Sequence, residues 1–271
     1  MIKLSKEQIG NLLPRYTGQT PLELQFALEL QYAYNGENGF GPHDCPVFAD
    51  DADNPNIMLI GTDWVNLWGD ATYGKSDDNL FDWIAGQLAL LPAKKDMILN
   101  LCSPGWETKL EKRFGRHIKG KWVRRNHRLN REAFGQYAGW REGIPAGYEV
   151  RYFAGEGKKF AFRVMKGDEI VSECTVVYFE KETYDTATAR VVEIGIETKE
   201  EYRRRGFAFL ACAAFIEYCL AHALEPNWGC WDHTTGSQDL AKKLGFEEIS
   251  RRDVLVLKKR KTIWGRRRGR H

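Results

Sequence analysis

Glu193-Ile194-Gly195-Ile196-Glu197-Thr198 and, a few residues on, Arg203-Arg204-Arg205-Gly206-Phe207-Ala208 are the two segments that decide the fold of this 271-residue chain. The first belongs to a strand, residues 189–198, whose Val191, Glu193, Gly195 and Glu197 fall on one face. The second closes a loop and opens a long apolar helix, from about Arg205 to Ala223. A helix start leaves backbone N–H groups unpaired and carries a partial positive charge, so it receives phosphates. Gly206 lets the backbone approach a ligand closely, small Ala208 leaves room, and Arg203, Arg204 and Arg205 add charge. In physical terms this strand–turn–helix junction is a pyrophosphate site.

Working outward, strands at 159–165 and 170–179 flank Lys166-Gly167-Asp168-Glu169, which has hairpin chemistry. After the helix come a short strand at 227–231, a helix at 237–244 closed by Gly245, and a last strand at 253–258. The order β-β-β-α-β-α-β predicts a mixed sheet with helices packed on it. Gly143-Ile144-Pro145-Ala146-Gly147 reads as a boundary. Ahead of it we expect a helix at 21–34 with Thr20 as N-cap and Pro21 in its first turn. Two strands at 56–61 and 64–68 follow, then a helix at 80–91 ended by Pro92 and a basic, largely helical segment at 121–140. The expected class is therefore α/β (α+β): an N-terminal α/β domain over 1–140, a second domain over 148–259 and a basic tail over 260–271.

Composition narrows the classes. With 43% hydrophobic and 28% charged residues the chain reads as an ordinary globular protein. The apolar stretch 207–224 carries Glu217 and His222, so it is expected to be a buried amphipathic helix and not a membrane span. The six cysteines are scattered without a Cys-x-x-Cys pair, which argues against a disulfide framework and a zinc site and for a reducing, cytoplasmic setting. His43-Asp44-Cys45 lacks a second ligand pair at matching spacing, so no metal is expected. The net charge is +3, yet residues 258–271 hold eight Lys or Arg and no acid, leaving a body of 32 basic against 37 acidic residues. Such a tail is either a solvated end or an arm for nucleic acid, with Trp264 able to stack on a base.

Arg203-x-x-Gly206-x-Ala208 fits the (Gln/Arg)-x-x-Gly-x-(Gly/Ala) signature of the GNAT superfamily of N-acetyltransferases. Glu193–Thr198 with Glu201-Tyr202 ahead of it, and Ser237-x-x-Leu240-Ala241-Lys242-Lys243-Leu244-Gly245-Phe246 after it, also resemble that family. About 110 residues are covered, and the chain is similar to a bacterial group of two-part GNAT proteins, in which Asp53-Asn54-Pro55 and Trp68-Gly69-Asp70 find echoes. The resemblance implies acetyl-CoA as co-substrate, its pyrophosphate on the amides of Arg203, Arg204, Arg205, Gly206, Phe207 and Ala208. The pantetheine arm would run beside Ile196, Glu197 and Thr198. It implies direct attack of an amine on the thioester, with Glu193 as general base and Glu197 second in line, because an alkyl ammonium must lose its proton first. Two departures stand out. Ala241 occupies the position of a Tyr that many members carry to protonate the leaving thiolate, so either no acid is needed, since a thiolate leaves easily, or Ser237 or a nearby Tyr substitutes. The two helices usually inserted between the family's first strands have no room here, so residues 1–140 are expected to wall the acceptor site, as a degenerate copy of the same fold. A small-molecule amine is the favoured acceptor, with RNA or protein reached through the tail as the alternative.

Competing patterns were weighed beside these. Gly69-Asp70-Ala71-Thr72-Tyr73-Gly74-Lys75-Ser76 matches the P-loop spacing, which would make the protein a nucleotide hydrolase. No Walker-B strand accompanies it, and Asp77-Asp78 would crowd phosphates, so it reads as a surface loop. Trp122, Arg124, Arg125, His127, Arg128 and Arg131 form a basic cluster that either grips an acidic ligand or is a solvated helix face, the plainer choice. Trp64, Trp68, Trp83, Trp106 and Trp140 are expected in the core. Glu193 itself has a plain alternative, a solvated strand residue or the partner of an arginine. A non-catalytic acyl-CoA or nucleic-acid binding module is the rival from another class.

Overall fold

The computed structural model describes residues 1–16, 21–36, 45–72, 74, 77–155, 160–179 and 191–259. The expected cap at Thr20, the His43-Asp44 pair, Lys75 and Ser76, and the tail 260–271 lie outside the described residues. In chain order the elements of the first half are β1 (Ile2–Lys3), α1 (Lys6–Leu12), α2 (Pro21–Asn35), β2 (Val47–Ala49), β3 (Ile57–Ile60), β4 (Trp64–Gly69), α3 (Asp77–Leu90), β5 (Asp96–Leu101), α4 (Trp106–Phe114) and β6 (Ile118–Leu129). The second half continues with α5 (Arg131–Gly135), β7 (Glu149–Ala154), β8 (Phe160–Lys166), β9 (Glu169–Phe179), β10 (Val191–Thr198), α6 (Phe207–Ala221), β11 (Glu225–Trp231), α7 (Thr235–Lys243) and β12 (Phe246–Lys258). From β8 onward this is the expected order, and β7 adds a strand before it. Ahead of it, the segment 121–140 departs from expectation: it is mostly the strand β6, with only the short α5 and a 3₁₀ turn at Trp140–Gly143 being helical.

The chain forms two compact units that are not continuous in sequence. One comprises Met1–Leu4, Pro46–Trp122 and the chain from Asp253 on; the other comprises Ser5–Cys45 and Val123–Arg252. In the first, β1 to β5 are followed in the sheet by the end of β12, whose residues 253–258 run antiparallel to β5. In the second, β7 to β10 form a meander, β10 lies parallel to β11, and β6 runs antiparallel to β11 from Asn227↔Arg128 to Trp231↔Arg124. Each half has thus given its last strand to a partner strand in the other half of the sequence. Residues 123–147, which fall ahead of the expected boundary, belong with the second unit, and so does the α1–α2 segment. Arg252, buried on β12, lies 4.0 Å from Glu29 on α2.

The core of the second unit is built around α6. Phe207, Leu210, Ala211, Cys212, Ala213, Ala214, Phe215, Ile216 and Cys219 are all buried, so this helix is apolar nearly all round and is a core element. They pack on Val164, Val171, Cys174, Val192 and Ile194 from the strands, each large side chain contributing about 1.5–3 kcal/mol of burial. Residues 131–143 cover part of α6: Tyr137 meets Phe209 edge-on at 5.1 Å, and Arg141 pairs with Glu217. The hairpin forms as expected, with Gly167 at φ 59° between β8 and β9. In the first unit Ile57, Leu59, Val65, Leu67, Leu80, Ile84, Leu99 and Trp106 make a second core. Trp68, Trp106 and Trp140 are buried as expected, while Trp64 is 39% exposed. No helix among the described residues is long and apolar enough to cross a membrane.

Candidate active site

The site is founded on a parting of strands. β10 and β11 are paired only from Val191↔Glu225 to Glu193↔Asn227, whereas β10 stays paired to β9 as far as Thr198↔Ser172. The register shifts between Glu193 and Ile194 because Val177 on the neighbouring β9 has no partner there, a bulge in β9 opposite this point. Beyond it residues 194–198 present a strand edge toward β11 that β11 does not take up, and an extended amide can add to such an edge. Ile196 is half-buried there and Glu197 points to solvent. Ser172 ties the strand end down, its hydroxyl donating to the Glu197 carbonyl at 3.1 Å and meeting Thr198 Oγ1 at 2.8 Å.

The turn after β10 is held from both sides. Glu169 on β9 accepts from Lys199 Nζ at 2.7 Å and from Tyr202 Oη at 2.9 Å. These bonds, the lysine's first, hold its carboxyl below the usual range. Arg203 Nε donates to the Thr198 carbonyl at 3.2 Å. Arg204 sits at φ 59° and Gly206 at φ 84°, both left-handed. For Gly206 a Cβ would meet no atom within 4 Å, so the glycine serves the backbone conformation and leaves open space above the helix start. The first intrahelical bond is Leu210 N–H to the Gly206 carbonyl. α6 has no side-chain N-cap and no acid in its first turn, so its leading amides and its positive end are available to an anion. Arg205 reaches Tyr148 Oη at 3.3 Å and stands over the Tyr202 and Phe207 rings. The Arg203 N–H, expected in the phosphate cradle, instead donates to the Glu200 carbonyl at 3.2 Å, so the amides open to an anion begin after it, at the start of α6.

Glu193 stands where the strands part. It shares a sheet face with Asn227, Gly229, Trp231 and Arg124, as the registers of β10, β11 and β6 require. Arg124 Nη2 donates to Glu193 Oε1 at 2.7 Å, with both side chains about one-fifth exposed. Pairing with an arginine, the plainer expectation for Glu193, thus holds at the same place as the strand parting. Ser237 lies elsewhere: its Oγ accepts from Trp228 Nε1 at 3.2 Å, and Trp228, next to Asn227 on β11, points to the opposite face. Ala241 is fully buried in the core. Arg125 and Arg131 pair with Glu248 and Glu225, and His127 is buried with Nδ1 3.3 Å from the Trp228 carbonyl. The basic cluster is therefore mainly the strand β6, with Arg131 at the start of α5, and not a solvated helix face, because β10, β11 and β12 supply partners to Arg124, Arg131 and Arg125. Among the described residues no group of three or more His, Cys, Asp or Glu is placed to hold a metal.

The P-loop-like segment Gly69–Ser76 joins β4 to α3, the place in the first half that corresponds to the turn between β10 and α6. Asp77 and Asp78 occupy the first turn of α3, and Asp77 pairs with Lys109. β4 is paired with its parallel neighbour β5 up to Leu67↔Leu101. The N–H of Gly69 then donates to Ser103 Oγ at 3.1 Å, and its carbonyl accepts from Trp106 Nε1 at 3.1 Å.

Residues 151–254 match the family model described as GNAT acetyltransferase. Over that stretch the chain is similar to GNAT acetyltransferases. Over 101 residues the chain is 35% identical to YdfB, an uncharacterized N-acetyltransferase of Bacillus subtilis, covering 37% of this chain and 35% of that protein. The match therefore spans about a third of that relative's length. A GCN5-related N-acetyltransferase-like protein from Streptococcus suis superposes with TM-score 0.61 at 18% identity, covering 93% of this chain and 99% of its own. A tandem GNAT protein from the clavulanic acid biosynthesis pathway gives 0.64 at 12% identity, over 94% and 97%. These likenesses concern the fold. They extend over nearly the whole chain, the first half included.

Within residues 151–254, sequence reasoning located the turn, β10 and Glu193. It named Arg124 in the basic cluster but not as the partner of Glu193, and it missed Gly229. A signal for Gly229 was present, since an isolated glycine inside a strand pattern marks a close approach.

Proposed function

We propose that the protein transfers an acetyl group from acetyl-CoA to a primary amine of a small molecule. The observation that carries this is the alignment, along one strand, of a carboxylate, an open strand edge and an acid-free helix start. Residues 204–208 would take the pyrophosphate, and the edge at Ile196, Glu197 and Thr198 the amide-bearing pantetheine arm. That places the thioester near the parting of β10 and β11, beside Glu193. There the amine nitrogen attacks the acetyl carbonyl, forming a C–N bond as the C–S bond breaks. Glu193 has first taken the ammonium proton through Oε2, directly or over one water, and coenzyme A departs as a thiolate that takes up, directly or through water, the second proton shed by the new amide nitrogen. Ser237, engaged with Trp228, supports β11 and is not required as the acid, because a thiolate is an able leaving group. A small acceptor is favoured because α1–α2 and residues 131–143 join the GNAT-like residues in one compact unit, which suits an enclosed cleft.

Calorimetry with acetyl-CoA and with ATP, followed by thiol release on a panel of small amines, tests the proposal. Binding of acetyl-CoA alone and release that falls about 100-fold or more in Glu193→Gln are expected, within the range for a general base. Binding of ATP in its place would overturn it, and an unchanged rate in Glu193→Gln would exclude Glu193 as the base.

A further inference from the structure

We propose that Arg124 is a positioning residue for Glu193, fixing one carboxylate oxygen where β10 and β11 part so that the other meets the acceptor amine. This rests on the acetyl-transfer function proposed above. Arg124 lies outside the matched segment 151–254, on β6, and reaches Glu193 across an intervening strand.

Three observations converge on the pair. Arg124 is registered opposite Trp231 and Asn126 opposite Gly229, so the arginine side chain must run along β11 to reach Glu193. It does so over Gly229. A Cβ there would lie 2.4 Å from Arg124 Nη2 and 2.9 Å from Glu193 Oε1, so any side chain at 229 would push the pair apart. The other side of the guanidinium is held by Trp231, whose ring centroid is 5.2 Å away. Trp231 in turn lies parallel to the His233 ring, at 7°.

For a pair this far out of water the desolvation cost offsets much of the attraction, so its geometry has to be accounted for otherwise. A charge-assisted bond to Oε1 is directional. With Oε1 held, Oε2 is the oxygen left to receive a proton, and its position is set by β10, where its pairing with β11 ends, and by Arg124. Misplacing a catalytic group by about 1 Å can cost on the order of 100-fold in rate. The glycine at 229 is then part of the site, as the gap through which the arginine passes.

The test is a double-mutant cycle in the full-length chain, read in two ways. In kinetics, Arg124→Gln should lower kcat about 10- to 100-fold with KM for acetyl-CoA little changed. Added to Glu193→Gln it should cost nothing further, because it acts through that carboxylate. Gly229→Ala, which leaves both charges in place, should reproduce the loss, and Arg124→Lys should recover part of it. In thermal unfolding of the ligand-free chain, the effects at 124 and 193 should be coupled, and Gly229→Ala should remove that coupling. Losses that multiply in the double mutant, or wild-type kcat in Arg124→Gln, would overturn the positioning role while leaving acetyl transfer standing. Should the wild type bind acetyl-CoA and release no thiol with any amine, acetyl transfer falls and the catalytic role of Arg124 falls with it. If Arg124→Gln does not fold, Gly229→Ala and Arg124→Lys carry the same decision.

Discussion

The junctions β4–α3 and β10–α6 occupy corresponding places in the two halves, and they differ in every feature that a phosphate ligand would test. After β10 the pairing with β11 stops at Glu193, leaving residues 194–198 with an open edge. After β4 pairing continues to Leu67, and Ser103 and Trp106 then consume both polar groups of Gly69. α6 begins on Gly206 with no acid in its first turn; α3 begins with Asp77 and Asp78, which use the positive end of the helix themselves. Trp106 is fully buried, so the first junction is filled by the protein's own core. A P-loop-like spacing therefore arose at a place where the fold puts a strand–turn–helix anyway, but with the wrong charge and no free edge. Topology provides the junction, and a handful of side chains decides whether it binds.

Four measurements would break or sharpen this contrast. The largest effect is expected at the helix starts. Gly206→Glu forces a side chain into a left-handed position and brings a negative charge to the cradle, so acetyl-CoA affinity should drop by about 100-fold or more, since a change of that size needs only about 2.7 kcal/mol. Gly74→Glu in the other junction should leave the calorimetric Kd unchanged. The wild-type titration should saturate at one acetyl-CoA per chain; two would mean that the first junction is open after all. Next, Trp106→Ala should lower unfolding stability by about 3–5 kcal/mol in urea denaturation, because it empties the space that the second half keeps for a ligand. A small loss would mark Trp106 as a displaceable plug.

The smallest effect is a pH dependence confined to the second unit. Burial lowers the pKa of His127 from its ordinary value, against a smaller upward pull from the Trp228 carbonyl. The neutral ring is thus the form the fold keeps. Its contribution is fully present above the unfolded value and is lost as pH falls through the lower folded one. Urea midpoints compared at pH 7.5 and below pH 6 should show wild type losing more stability than His127→Gln. An equal loss would remove His127 as the source.

Much of the second half was legible because its signals are local. The alternation along β10, the glycine turn at 167–168 and the Gly206 helix start each lie within one stretch of chain, and each took its expected form. Residues 121–129 misled for the opposite reason. Their arginines fit a solvated helix face equally well, and only β11, about 100 positions away, makes them a strand. The same distance hid the role of Arg124, whose partner Glu193 is 69 residues on.

By itself, then, the sequence determined the helix start at Gly206, the strand carrying Glu193 and the likeness of residues 151–254 to GNAT acetyltransferases. Those features are set by backbone conformation and periodicity over ten or twenty residues. Only the tertiary structure decided that β6 and β12 trade places, that Trp106 closes the first junction, and that Arg124 reaches Glu193 over Gly229. Each of these depends on which distant strands become neighbours, and on a space that a single Cβ would fill.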